Sequence, residues 1–212
     1  VTVDFHAARA AAAAAGLDST TVTVAAADDA VDRAARHAGF HCTRELLQLR
    51  RPLPITDTTE VPVRTYRPAD AGAWLDVNNR AFAWHPEQGG WTLAQLHATQ
   101  AEPWYDPAGF LVHEAPDGRL DAFCWTKVHG DVDPPVGEIF VIAVDPAAHG
   151  AGLGRALVVA GLTHLQQHGL HHAMLYVEAD NAPALQLYDA LGFTVHERTR
   201  WYTWTADGAP ST

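Results

Sequence analysis

Lysine is almost missing from this sequence: Lys127 is the only one in 212 residues. Lys and Arg together number 14 against 25 Asp and Glu, a formal charge of -11. Binding through a phosphate backbone needs clustered cations, so no nucleic-acid partner is expected. Cysteine is scarce too. Cys42 and Cys124 lie far apart, in no C-x-x-C or metal-like spacing. That indicates neither a disulfide framework nor a zinc site, and it fits a reducing cytoplasm. No apolar run approaches the roughly 18 residues of a membrane helix, so no membrane partner is expected. The Ala-rich stretch from Val1 to Gly16 carries Asp4 and Arg9 and lacks the continuous apolar segment and cleavage pattern of a secretory leader.

What is present is material for a core. Hydrophobic residues make up 48% of the chain, with seven Trp and seven Phe, which excludes disorder. The length lies between one domain and two, so one complete core plus an extra piece is expected.

Residues 7–15 are nearly all alanine and predict a helix that Gly16 stops. Thr20 to Ala26 alternates as a strand does, Asp28 opens an Ala/Arg helix that Gly39 closes, and a strand follows from His41 to Leu49. The Pro- and Thr-rich segment from Arg51 to Glu60 reads as a linker, with a boundary near residue 55. Beyond it the pattern predicts a strand from Val61 to Arg67, a helix from Ala69 to Ala83 and another from Thr92. Strands over 109–114, 120–128 and 137–145 come next, the first two joined at Asp117-Gly118. A helix at 152–168, a strand at 171–178, a helix at 181–191 and a strand at 194–204 complete an α/β order.

Two segments echo each other. Val24 to Ala30 leading to Ala38-Gly-Phe40 matches Val177 to Ala182 leading to Leu191-Gly-Phe193, with a one-residue length difference. Tandem copies are expected, the first without its front half, although strand–Asp–helix–Gly-Phe is also a generic joint.

The most informative stretch is Val144-Asp-Pro-Ala-Ala-His149-Gly150-Ala151-Gly152-Leu153-Gly154-Arg155, an apolar strand entering a Gly-rich turn and then a helix. Glycines allow close backbone approach to a ligand, and the N–H groups at a helix start suit a diphosphate. A Gly-rich turn can also be purely structural. The His-x-x-Gly-x-Gly spacing is not that of a dinucleotide fingerprint. It resembles the acetyl-CoA loop, Gln/Arg-x-x-Gly-x-Gly/Ala, of the GNAT N-acetyltransferases, and Asp180-Asn181 through Tyr188 to Leu191-Gly-Phe193 resembles their closing motif. His149 stands where Gln or Arg is usual, and Ala151 replaces a common Arg.

Within that superfamily the chain is similar to the mycothiol synthase (mycothiol acetyltransferase) family of tandem GNAT enzymes. The segments that carry this are Phe82 to Trp91, Trp125-Thr-Lys-Val-His129, Gly137 to Pro146 and Leu175 to Asn181, while Glu45 to Leu53 is similar to the end of an N-terminal domain. The resemblance implies an α/β (α+β) GNAT fold, a mixed twisted sheet flanked by helices. It implies a partial domain over 1–54, a linker over 55–60, a complete domain over 61–205 and a tail. Acetyl-CoA would be the cosubstrate, no metal would be needed, and the acceptor would be desacetylmycothiol, a cysteinyl-glucosaminyl-inositol.

The resemblance also assigns residues. The coenzyme would lie against Ile142, Ala143 and Val144, against His149 to Arg155, and against Asn181, Ala182, Pro183, Ala184, Leu185 and Gln186. Glu138, alone in an apolar strand run, would be the base, partial burial raising its pKa, unless it is a solvated edge carboxylate. Tyr188 would protonate the leaving thiolate, unless it only packs with Leu185, Leu191 and Phe193. Glu87, Lys127, Glu138 and Tyr176 match acceptor-contacting positions, a solvated strand lysine being the plain alternative for Lys127. Trp84, Trp91 and Trp104 are expected to pack in core or loops. Two other readings stay open: acetylation of another amine, such as a protein N-terminus or an aminoglycoside, and a coenzyme A-binding module without catalysis. A monomer is expected, with sheet edges left by the missing strands as the route to a dimer.

Overall fold

The computed structural model describes residues 3–83 and 88–207. Contacts divide the chain into two compact units, Val1–Arg50 with Tyr176–Thr212 and Arg51–Leu175. The chain enters and leaves the second unit within the continuous strands β2 (His41–Pro52) and β7 (His172–Glu178).

The first unit contains α1 (Phe5–Ala14), β1 (Ser19–Val24), α2 (Asp29–His37), most of β2, the end of β7, α6 (Ala182–Ala190) and β8 (Thr194–Thr205). Helix α1 starts where Asp4 accepts the Ala7 N–H and ends before Gly16 at φ 67°. Strand β8 is antiparallel to β1 along Ser19–Val24 and antiparallel to β2 from His41 to Arg50. Phe5, Phe40, Tyr202 and Trp204 fill the core, Phe5 meeting Phe40 at 5.2 Å and Tyr202 at 5.3 Å. Beside it Arg200 bonds Glu45 and Asp32, and Tyr202 donates to Asp32 at 2.6 Å. Burial and then the Asp32 bond push the Tyr202 phenol up to about 12.

The two echoing segments have the same local structure. Asp28 and Asn181 cap nine-residue helices, Gly39 and Gly192 follow at φ 83° and 76°, and Phe40 and Phe193 are buried before twelve-residue strands. The interval from cap to Phe is identical in both. The one-residue difference expected from sequence is therefore absent, because Asp28 rather than Asp29 corresponds to Asn181. The residue that corresponds to Tyr188 is Ala35.

The second unit carries β3 (Arg64–Thr65), α3 (Ala71–Ala81), α4 (Leu93–Gln100), β4 (Phe110–Glu114), β5 (Leu120–His129), β6 (Val136–Val144) and α5 (Leu153–Gln167). The antiparallel order is β3-β4-β5-β6, and β6 then pairs in parallel with the start of β7. The strand expected over 61–67 shrinks to two residues because Pro62 and Pro68 cannot donate to a ladder.

Side-chain alternation sends the two faces of β5 to different helices. Phe123 and Trp125 meet Trp74 of α3 in an aromatic core, Phe110 lying parallel to Trp125 at 4.3 Å. Cys124 and Thr126 face α5, where Gly161 admits them: a Cβ there would come within 2.7 Å of the Cys124 sulfur. Trp91 and Trp104 pack edgewise or tilted against this core, and Trp84 lies outside the described residues. No helix among the described residues is long and apolar enough to cross a membrane.

Candidate active site

In the second unit the site is built on β6. Register places Glu138 directly opposite Lys127 of β5, and Val136 opposite His129. Period two puts Lys127 and His129 on one face, with Glu138 beside them. Glu138 is 6% exposed, so the solvated edge carboxylate is not what the chain builds. Its Oε2 lies 2.7 Å from His129 Nε2. An ionised carboxylate only accepts, so the ring nitrogen donates. His129 is itself part-exposed and lines an open cleft of about 700 Å³ together with Trp104, Asp106, Lys127 and His168. The Glu138 carboxylate is thus held from the cleft side by an imidazole N–H.

The Lys127 ammonium, on the lining of this cleft, lies 4.8 Å from the Trp104 ring centre and 5.6 Å from that of Phe140, a cation–π seat. Phe140 owes its place to a β-bulge: Trp125 pairs with Val141 and Thr126 with Ile139, which leaves Phe140 unmatched. The bulge turns Ile139 to α5 and Val141 to the aromatic core. It also falls where the ladder to β7 ends, at Ile139 and Leu175. From there to Val144 the outer edge of β6 carries backbone groups that the ladder does not use, and Ile142, Ala143 and Val144 lie on this stretch, joined to β5 on its other edge.

After β6 the chain turns at Asp145, which is 3% exposed, accepts the Ala147 N–H and bonds Arg80 of α3 at 2.6 Å. Burial alone would raise its carboxyl pKa, but the Ala147 N–H and the Arg80 guanidinium outweigh it and hold the group below the ordinary range. His149 folds back, its Nε2 3.1 Å from the Val144 carbonyl oxygen. Gly150 and Gly152 take φ of 85° and 77°, and a Cβ on either would meet nothing within 4 Å. Helix α5 therefore begins with no side-chain cap, its first main-chain bond running from Ala156 to Gly152. The N–H groups of Leu153, Gly154 and Arg155 precede that bond, and the helix dipole adds positive potential beside them. Arg155 is paired with Asp57, so the loop's attraction for an anion rests on main-chain N–H groups.

The first unit holds the remaining candidates. Tyr176 is 47% exposed and its hydroxyl accepts from Gln48 Nε2 at 2.7 Å. Asn181 caps α6 by accepting the Ala184 N–H, with Pro183 in the first turn and Ala182, Leu185 and Gln186 following. Tyr188 is buried, edge-on to Phe193 at 5.7 Å. Glu87 lies outside the described residues.

The sequence reading assigned no role to His129, Asp145 or Arg80. Strand alternation from Lys127 was the available signal for His129. Nothing local in the sequence could couple Arg80 to Asp145.

Comparison with known proteins follows the same lines. The profile of the acetyltransferase (GNAT) family matches residues 73–193. A mycothiol acetyltransferase from Thermomonospora curvata is 55% identical over 163 residues, 74% of this chain and 54% of the relative. One from Acidimicrobium ferrooxidans is 53% identical over 171 residues, 76% of this chain and 55% of the relative. The chain spans about half the length of the curated relatives it matches. Among solved structures, a GCN5-related N-acetyltransferase from Sphaerobacter thermophilus shares the fold, with a TM-score of 0.68 at 23% identity over 92% of this chain and 62% of that one.

Proposed function

Since the chain belongs to the acetyltransferase (GNAT) family, whose enzymes use acetyl-CoA as cosubstrate, we propose that it acetylates a small-molecule amine, the cysteinyl amine of desacetylmycothiol. The observation that carries this reading is on β6. One strand supplies a buried carboxylate bonded to a cleft-side imidazole, and it leads straight into an uncapped, glycine-edged helix start. The similarity to mycothiol acetyltransferases points to the acceptor.

In the proposed reaction the diphosphate of coenzyme A lies against the N–H groups at the start of α5, and residues 149–155 fit it without a side-chain cation. Main-chain N–H groups of the 142–144 stretch that point away from β5 receive the pantetheine and the thioester carbonyl, where negative charge develops. Asn181 to Gln186 form the coenzyme's second contact. Glu138 takes the proton of the amine, directly or through a water, while the His129 N–H holds its carboxylate in place. The amine nitrogen bonds to the carbonyl carbon, the C–S bond breaks, and the Tyr188 phenol protonates the sulfur. The products are an amide and free thiol. Lys127 and Tyr176, with Glu87, would hold the polyhydroxylated acceptor. The division into a partial domain over 1–54 and a complete one over 61–205 belongs to the same proposal.

A product-identified acetylation assay tests it, with desacetylmycothiol set against an N-terminal peptide and an aminoglycoside, and coenzyme A binding measured by calorimetry alongside. Turnover preferring the pseudodisaccharide is expected. Turnover of another amine alone overturns the substrate, coenzyme binding without turnover overturns catalysis, and no binding overturns the site.

A further inference from the structure

A second constellation lies in the Arg51–Leu175 unit, on residues to which the acetyl-transfer chemistry gives no part. His164 and His168 are four apart at the C-terminal end of α5 and share a face, their ring centres 4.3 Å apart. Asp106 faces them from the short 3-10 turn that precedes β4. Its Oδ1 is fixed by the Ala108 N–H, which leaves Oδ2 turned to the helix, 3.0 Å from His164 Nε2 and 3.5 Å from His168 Nε2. The turn can come this close because residue 109 is glycine: a Cβ there would stand 2.9 Å from His164 Nε2.

The proton count around these atoms is informative. His168 Nδ1 lies 2.9 Å from the His164 carbonyl oxygen, an acceptor only, so Nδ1 carries the hydrogen. A neutral His168 then points a lone pair from Nε2 at the Asp106 carboxylate. Two electron-rich atoms at 3.5 Å are unfavourable until a cation stands between them or the ring takes a second proton. The Nδ1 bond to a carbonyl is also how metal-ligating histidines are oriented.

From this geometry we propose that Asp106 Oδ2, His164 Nε2 and His168 Nε2 form a three-ligand site for a first-row divalent metal ion, with Zn²⁺ as the best match. The three atoms lie within 4.8 Å of one another. Bonds of about 2.05 Å in a tetrahedron put ligand atoms about 3.3 Å apart, and the two distances to Oδ2 bracket that spacing. Two imidazoles and a carboxylate are borderline donors that suit Zn²⁺ over Mg²⁺ or Ca²⁺. His164 is mostly buried, whereas Asp106 is part-exposed and His168 exposed on the cleft that Lys127 and His129 also line, so the fourth position opens to water. A bound ion would tie the turn before β4 to the end of α5.

The test is calorimetric titration of the untagged, chelator-stripped full chain with Zn²⁺, with thermal unfolding followed in parallel and Co²⁺ as a spectroscopic probe. One ion per chain, a higher Tm with Zn²⁺ and the visible bands of tetrahedral Co²⁺ are expected. His168→Ala and Asp106→Asn should each weaken binding at least tenfold while keeping the metal-free circular dichroism spectrum, and His97→Ala, on exposed α4, should bind as the parent does. Absence of saturable binding, or equal binding by His168→Ala, Asp106→Asn and the parent, overturns the site and shows that the cluster is an ion pair of a protonated His168.

Discussion

Gly152 and Gly118 make a matched pair that isolates the coenzyme loop. Both have positive φ, 77° and 86°, and a Cβ on either meets nothing within 4 Å. Alanine at each site thus costs backbone strain alone, about 1–2 kcal/mol in the left-handed region. Stiffening of the unfolded chain returns roughly 0.4–1 kcal/mol of that. The net loss is on the order of 0.5–1 kcal/mol, a Tm drop of about 1–4 °C for a chain this long. Gly118 sits in the hairpin between β4 and β5, away from the loop, so Gly118→Ala should do nothing more. Gly152 is the cap residue of α5, and its new methyl group would occupy the open space through which a diphosphate reaches the first-turn N–H groups. Loss of one charge-assisted bond, about 1.5–3 kcal/mol, weakens coenzyme A at least tenfold. Unfolding curves and coenzyme A calorimetry on both variants decide it. Equal Tm losses with unchanged coenzyme affinity in Gly152→Ala would refute the placement of the diphosphate.

Glu138→Gln keeps size and removes the proton acceptor, so kcat should fall by about 10²- to 10⁴-fold with the KM for acetyl-CoA little changed, and a rate within twofold of the parent would remove Glu138 from the chemistry. Asp70 is held below its ordinary value of 3.8 first by Arg64 and then by the Arg67 N–H. A lowered folded pKa gives stability that is present above the unfolded value and lost as pH falls through the folded one, so urea unfolding below about pH 4 should lose that increment in the parent and show a smaller loss in Arg64→Gln. Cys42 is exposed and Cys124 is buried, its thiol pushed far up by desolvation, so a thiol reagent should titrate one group in the native chain and two in denaturant. Removing residues 1–54 takes both ladder partners, β1 and β2, from β8, and the remaining fragment should lose cooperative unfolding and bind a hydrophobic dye.

Elements written in local chemistry were legible. Asp28, Thr92 and Asn181 cap the helices that begin after them, and the Gly-rich turn stands between β6 and α5 as its spacing implied. Where the sequence reading stopped short, the missing term was long-range. Strand β2 runs past Leu49 to Pro52, with Leu49 and Arg50 still paired to β8. The helix expected from Ala69 begins at Ala71 because Pro68 to Asp70 form a tighter turn, whose Asp70 carboxylate takes the Arg67 N–H. The run 139–144 reads as unbroken apolar strand, and nothing in it announces a bulge at Phe140. Yet that bulge seats Phe140 under Lys127 and lets the faces of Ile139 and Val141 diverge. The His129–Glu138 bond needs the register of a hairpin whose loop length had to be known first. Likewise His164 and His168 stand four apart in one helical segment, but Asp106, 58 residues before His164, joins them only in the fold.

The internal echo bears on which half of the chain can act. Both segments have what a strand–helix–strand joint needs: a capping side chain, a left-handed glycine and a buried Phe. They differ where chemistry would be done, since Ala35, fully buried, occupies the position of Tyr188. A methyl group there packs without offering a proton. Instead the space beside α2 is taken by charge pairs, with Asp32, Glu45, Arg198 and Arg200 satisfying one another. What residues 1–54 do provide is β1 and β2, which flank β8 on both edges. A ladder that Thr194–Thr205 cannot complete alone therefore depends on residues 1–54, so substitutions that break strand pairing there should lower stability.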